Sequence, residues 1–366
     1  MPSCGPISAM AVAALAPMAP LGLLAVNLLA ASLATSLEAT ATRPALARPV
    51  ALGALIQLAG RPLSGGTVQG EARLPLERAA GGDTPVLEFQ VLGAASGNGP
   101  LRLLLDTGAS STMVTPALAQ RLGLASAALP PAAFQLAGGG QGCAALAPRR
   151  TRLPDLRLGA SGVAAGGVGQ PDGVSRGLLL RGAEALVLPV AALPAGVDGV
   201  LGAPTLRLLP FRIDPVAGQV VLGPGALQPP PPRAALRLAL RWHRHVPLLQ
   251  LASAAGPVAA LADTGAEGLF LQPALAARLQ PLDRGKPLRL VGFCGEQPVL
   301  RQRFLGLALP GLAPPPGQPN QGLEGIVTAN PIFAQLGVGA IVGQELLRYQ
   351  RQLWRLDRTP PQLLLW

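Results

Sequence analysis

"LLLDTGAS", residues 103–110, sets one acidic residue, Asp106, behind three leucines and ahead of Thr107-Gly108-Ala109. A short apolar run bounded by turn formers reads as a buried strand. A lone aspartate at its end would serve to cap a turn. The stretch "ALADTGAE", residues 260–267, repeats the arrangement around Asp263.

The repetition extends beyond the aspartates. "TPALAQRLGL" (115–124) is answered by "QPALAARLQP" (272–281). Asp106 and Asp263 are 263 − 106 = 157 positions apart, and the same offset separates Pro116 from Pro273 and Arg121 from Arg278. A match of this length without insertions indicates an internal duplication. The proline suits the first turn of a short helix, whose apolar face the Leu and Ala spacing supplies.

Each aspartate is also delivered by a hairpin pattern. "VLEFQVLG" (86–93) and "LRLLLDTG" (101–108) flank a turn-rich linker, as "VPLLQLAS" (246–253) and "VAALADTG" (258–265) do in the second half. Later come "VDGVLGAPTLRLLPFRIDPVAGQVVL" (197–222) and "GAIVGQELLRYQRQLWRLDRTPPQLLL" (339–365). Both read as two apolar residues, a glycine, a short helix and a closing hairpin. Between the halves, "GPGALQPPPPRAAL" (223–236) carries four consecutive prolines, which favour a stiff extended linker.

Composition narrows the function classes. The 366 residues are 49% hydrophobic and 3% aromatic, with 46 Gly and 40 Pro, so turns are frequent and long helices few. The formal charge is +11, but the arginines are scattered singly rather than gathered in a basic stripe with aromatics, which argues against nucleic-acid binding. Cys4, Cys143 and Cys294 form neither a disulfide framework nor a zinc spacing. His243 and His245 stand at i, i+2 with no Cys or carboxylate close by in sequence, so no metal is assigned.

Residues 1–41 read as an apolar signal peptide or membrane anchor. Ile7 to Leu37 carries no Lys or Arg, and "ATA" (39–41) has the small residues of a cleavage site. Export to the periplasm or exterior, or a membrane tether, is therefore expected. Residues 42–85 form an extension that could cover a cleft or add edge strands. The remainder divides into lobe one (86–222), the linker (223–236) and lobe two (237–366).

Two D-T-G-A motifs, at 106–109 and 263–266, and two apolar-apolar-Gly elements, at 200–202 and 341–343, resemble the aspartic peptidases and in particular the retropepsin-like ones. The resemblance covers roughly residues 85–365. It implies a mostly β fold of two pseudo-symmetric β-barrel lobes with short helices and an active-site cleft between them. It implies endopeptidase activity on polypeptide substrates, from a single chain without metal or organic cofactor. The alternative is an inactive peptide-binding or assembly protein on the same fold.

The chemistry explains why two aspartates are needed. Hydrolysing a peptide requires one group to take a proton from water and another to give one to the amide. Two carboxylates about 3 Å apart cannot both ionise, so they share one proton and divide these tasks. The resemblance assigns this to Asp106 and Asp263. It makes Thr107 and Thr264 cross-braces between the loops, and Gly108 and Gly265 points of close backbone approach. Gly202 and Gly343 would pack beneath the loops. Ala109 and Ala266 stand where pepsins carry a hydroxyl, so the acids should ionise at higher pH than in pepsins. Ser110 and Glu267 are candidate substrate contacts; a surface Glu paired with an arginine is the other reading of Glu267. Glycine-rich flaps are expected at 134–148 and 288–304. Each holds a cysteine; two unpaired small apolar residues are the expected state, and a redox-sensitive link between the flap tips is the alternative.

Overall fold

The computed structural model describes residues 50–52, 54–93, 99–130, 134–140, 143, 146–159, 177–190, 192–312 and 322–366. The apolar leader 1–41 lies outside the described residues. Among those described, no helix is long and apolar enough to cross a membrane.

The chain is mostly β, with short helices, and two large sheets carry the two aspartate loops. In the first, Leu101–Leu105 pairs antiparallel with Pro85–Val91 and parallel with Gly199–Leu201. In the second, Val258–Ala262 pairs antiparallel with Val246–Ser253 and parallel with Ala340–Val342. Both aspartate-bearing strands lie inside their sheets with strand partners on either side. That is why they read as near-continuous apolar runs rather than alternating ones. The last ladder bond of each carries the chain into its loop: Asp106 N–H donates to Leu201 O (3.1 Å), and Asp263 N–H donates to Val342 O (2.9 Å).

The helices after the loops are one to two turns long. Pro116–Arg121 is capped by Thr115, whose hydroxyl accepts from Leu118 N–H (3.1 Å), with Pro116 in the first turn. Pro273–Ala276 starts the same way but has no side-chain cap, because Gln272 replaces the threonine.

A third, six-stranded sheet joins the closing hairpins. Phe211–Asp214 and Gln219–Leu222 stand beside Gln352–Arg355 and Gln362–Leu365, with Phe211 opposite Trp354 across the junction. Their rings stack with centroids 5.7 Å apart, and Trp354 is fully buried. One apolar cluster runs from Leu87 and Leu103 through Phe211 and Trp354 to Leu249 and Leu269, so both halves share a core.

The extension before residue 86 is woven into this architecture. Thr67–Gln69 pairs with Leu178–Arg181, Ala72–Pro75 with Gln219–Leu222, and Glu77–Arg78 with Pro85 and Val86. Earlier still, Val50–Leu52 runs parallel to Lys286–Gly292, and Leu55–Ala59 pairs antiparallel with Gln135–Gly138. The proline stretch departs from a simple extended linker. It opens with a 3₁₀ turn, Pro224–Leu227, that buries Ala226, and Pro229 O accepts from the Arg212 guanidinium (2.6 Å).

Candidate active site

The two D-T-G loops meet and brace one another. Thr107 N–H donates to Thr264 Oγ1 and Thr264 N–H donates to Thr107 Oγ1, both at 3.0 Å. Each hydroxyl then donates across to the opposite strand, Thr107 to Ala262 O and Thr264 to Leu105 O, both at 2.7 Å. A Ser could make these bonds, but the buried methyl group of Thr also fills space and stiffens the rotamer.

Inside this frame, Gly108 N–H donates to Asp106 Oδ1 and Gly265 N–H donates to Asp263 Oδ1, each at 2.8 Å. Both carboxyl groups are fully buried. Each glycine also lies against the opposite acid. A Cβ on Gly108 would stand 2.3 Å from the Asp263 carboxyl carbon, and one on Gly265 would stand 2.3 Å from that of Asp106. No side chain fits there, so the glycines set how closely the carboxyl groups approach.

Burial raises both acids. Asp106 is pushed well above the ordinary aspartate range, first by burial and then by the negative charge of Asp263. Asp263 is pushed up to about 6 by burial, against the lowering effect of backbone N–H groups including that of Gly265. The two titrate as a pair, and the charge of one acid opposes ionisation of the other. Oδ2 of each acid is buried and finds no hydrogen-bond partner among the described residues.

The glycines beneath the loops stand where backbone crosses backbone. A Cβ on Gly202 would meet Ser111 O at 2.6 Å and Ala109 O at 2.8 Å; one on Gly343 would meet Ala266 O at 2.2 Å. Ala109 and Ala266 are fully buried in apolar surroundings.

The remaining candidates divide. Ser110 holds extended backbone, but of this chain: its N–H donates to Leu55 O (2.8 Å), and its hydroxyl accepts from Gln57 N–H (2.6 Å). Glu267 is likewise engaged within the chain. Its carboxylate is taken up by the turn before the first hairpin, accepting from Asp83 N–H (2.7 Å), Thr84 N–H (3.0 Å) and the Thr84 hydroxyl. It anchors this turn, which the woven-in extension brings onto it, and among the described residues it makes no ion pair with an arginine.

The flap expectations also change. The second segment is a hairpin, Lys286–Gly292 with Gly295–Leu305. The first is not a self-paired hairpin among the described residues; Gln135–Gly138 takes its partner from Leu55–Ala59 instead. Cys143 and Cys294 are joined as a disulfide across 151 residues, which overturns the unpaired reading. The packing of the two segments explains it. Cys294 N–H donates to Gly139 O (2.7 Å), and Cβ atoms on Gly292 or Gly140 would collide with the other segment's backbone. Only glycines allow so close an approach, and the sulfurs are carried together with it.

Sequence reasoning missed the supporting polar residues. Gln344 Nε2 donates to Thr264 O (2.7 Å), and the Thr112 hydroxyl accepts from Gly202 N–H (3.1 Å). Asn330 Nδ2 donates to Gly140 O (3.0 Å), tying the first glycine-rich segment to a residue 190 positions away. A polar residue next to Gly343 was the one visible signal; the others carry none in the linear chain.

Residues 91–205 match a family model described as aspartyl protease. No curated protein sequence matches the chain. Solved structures similar to it include the basic 7S globulin of soybean, at 10% identity, covering 81% of this chain and 94% of that one with a TM-score of 0.40. Conglutin gamma, a basic 7S globulin from lupine seeds, is similar at 10% identity, with the same coverages and a TM-score of 0.42. Asp106 lies inside the region that matches the aspartyl protease family model, and the second D-T-G loop, outside that region, is braced against it.

Proposed function

We propose that the chain is an aspartic endopeptidase in which Asp106 and Asp263 activate water against a peptide bond. What supports this is the braced pair of loops, which hold two buried carboxyl groups side by side, both raised by burial. Nothing in the scaffold's packing calls for two acids there, and burying them costs stability.

In the proposed reaction the ionised carboxylate takes a proton from a water molecule, whose oxygen attacks the peptide carbonyl carbon. The protonated partner donates its proton to the carbonyl oxygen, giving a tetrahedral gem-diol. Collapse breaks the C–N bond as a proton passes to the departing nitrogen. The products are a carboxylic acid and an amine, and the pair recovers one proton. The loop glycines hold each acid by one N–H, so little reorganisation is needed as charge moves between them.

The raised acids support a working range at mildly acidic to neutral pH: one carboxyl group must be ionised, so activity is expected to rise through about 6. We further propose that the chain works outside the cytoplasm, either released by a signal peptide or anchored by residues 1–41. The Cys143–Cys294 disulfide supports an oxidising compartment.

The test is hydrolysis of an unstructured protein, with and without pepstatin. Asp106→Asn is expected to abolish cleavage, and so is Asp263→Asn. Cleavage that persists in both variants rejects the reading.

A further inference from the structure

The two D-T-G loops hold their acids with matching bonds, but the chain beneath them does not match. The backbone after each apolar-apolar-Gly element is built alike: Ala203 N–H donates to Ala109 O and Gln344 N–H donates to Ala266 O, both at 2.8 Å. The side chains at these two places differ. Ala203 carries only a methyl group, whereas Gln344, 1% exposed, extends an amide into the second loop. Its Nε2 donates to Thr264 O at 2.7 Å. Ala203 has no such donor to offer Thr107 O in the first loop.

The carbonyl that Gln344 reaches belongs to the peptide unit whose other end is Gly265 N–H, and that N–H donates to Asp263 Oδ1 (2.8 Å). Side-chain amide, peptide and carboxylate therefore form one line of hydrogen bonds. A donor on a peptide oxygen draws electron density from the peptide nitrogen, so the N–H becomes a better partner for a negative acceptor. Hydrogen bonds to the charged form of an acid favour that form. Thr264 and Asp263 are fully buried, and the low dielectric there strengthens each step of the line. Asp106 receives Gly108 N–H at the same 2.8 Å, but through a peptide that Ala203 cannot polarise. The acids differ in the matching direction: burial raises both, and Asp263, at about 6, is raised less than Asp106. The ionisable group facing Asp263 is Asp106. Farther out, Glu267 is held by the N–H groups of Asp83 and Thr84, and Asp83 pairs with Arg78 and Arg348. Glu345 pairs with Arg348 (3.4 Å) and feels Glu324, Arg301 and Arg303.

We propose that Gln344 is a positioning residue that divides the labour within the pair: by polarising the Thr264–Gly265 peptide it makes Asp263 the acid that ionises and leaves the proton on Asp106. The consequence for catalysis rests on the peptidase reading; the relay itself stands on the contacts. In the reaction, Asp263 then takes the proton from water as the water oxygen attacks the carbonyl carbon, and Asp106 gives its proton to the carbonyl oxygen. Gln344 exchanges no proton and acts only through the peptide it bonds.

The test isolates one acid at a time in the whole chain, with isotope-labelled aspartate carboxyl groups followed by NMR across pH. Asp106→Asn leaves Asp263 as the acid of the pair. Adding Gln344→Met, which keeps the bulk and removes the donor, is expected to raise the Asp263 titration by about half a pH unit or more. Asp263→Asn leaves Asp106 instead, and there Gln344→Met is expected to shift the titration far less. A merely structural role would move both acids alike, so equal shifts in the two backgrounds, or no shift of Asp263, overturn the proposal. Should Gln344→Met fold poorly, Gln344→Asn withdraws the amide by one methylene and the same comparison applies. With both acids present, Gln344→Met is expected to move the acid limb of kcat/KM for cleavage of an unstructured protein to higher pH. An acid limb that stays in place while cleavage proceeds overturns the assignment of Asp263 as the base. A shifted Asp263 titration in a chain that cleaves nothing upholds the relay and rejects the peptidase reading instead.

Discussion

Two buried acids should weaken the protein as they ionise, and the size of that effect follows from the structure. Consider Asp106→Asn/Asp263→Asn, which keeps the shapes and removes both titrations. Asp263 is raised from the ordinary 3.8 to about 6 in the folded chain. At about 1.36 kcal/mol per pH unit, that is about 3 kcal/mol. The sign follows from the direction: a carboxyl group whose folded pKa is raised contributes stability in full below its unfolded pKa, and the contribution is lost as pH rises through the folded value. The wild type should therefore lose at least about 3 kcal/mol relative to the variant between pH 4 and pH 7. Asp106, raised further, adds its own loss over the same window and goes on losing above it. Any constant offset from the Asn side chains cancels in this difference. Urea unfolding at a series of pH values measures it, and for a chain of this size it corresponds to about 4 °C in Tm. A difference that stays flat from pH 4 to 7, or that grows in the wild type's favour, would show that the acids are not held together in a dry frame.

Three other perturbations probe the scaffold. Thr107→Val leaves the buried Thr264 N–H without its acceptor and should cost about 1–3 kcal/mol by urea unfolding, with Thr107→Ser largely restoring it. Trp354→Ala opens a cavity against Phe211 where the closing hairpins meet and should cost about 3–5 kcal/mol; a loss below about 1 kcal/mol would mean that the shared sheet does not couple the two halves. Reduction of Cys143–Cys294 releases a cross-link spanning 151 residues and should cost up to about 5 kcal/mol; Cys294→Ser should show the same lowered stability with no response to reductant, and a wild type indifferent to reductant would count against the disulfide.

What the sequence by itself determined was whatever repeats or alternates along the chain. The two D-T-G loops, the hairpins delivering them and the proline-led helices are local patterns with local causes. A strand of leucines ending in Asp-Thr-Gly reads the same before and after folding. The 157-residue offset predicted that the halves carry like elements, and the braced threonines are where those elements meet.

What only the tertiary structure decided was pairing between distant segments with no pattern of their own. Glu267 looked like a free surface or cleft acid because the backbone it holds, at Asp83 and Thr84, lies 183 or more residues away. The cysteines looked unpaired because their approach depends on glycines in two separate segments interlocking. "ALIQLA", residues 54–59, could have been a core strand anywhere. Hydrophobicity sends such a segment inward but does not say which open main-chain groups it meets there. In the fold, Gly108, Ser110 and Gly139 meet its backbone while two apolar clusters take up Leu55 and Ile56.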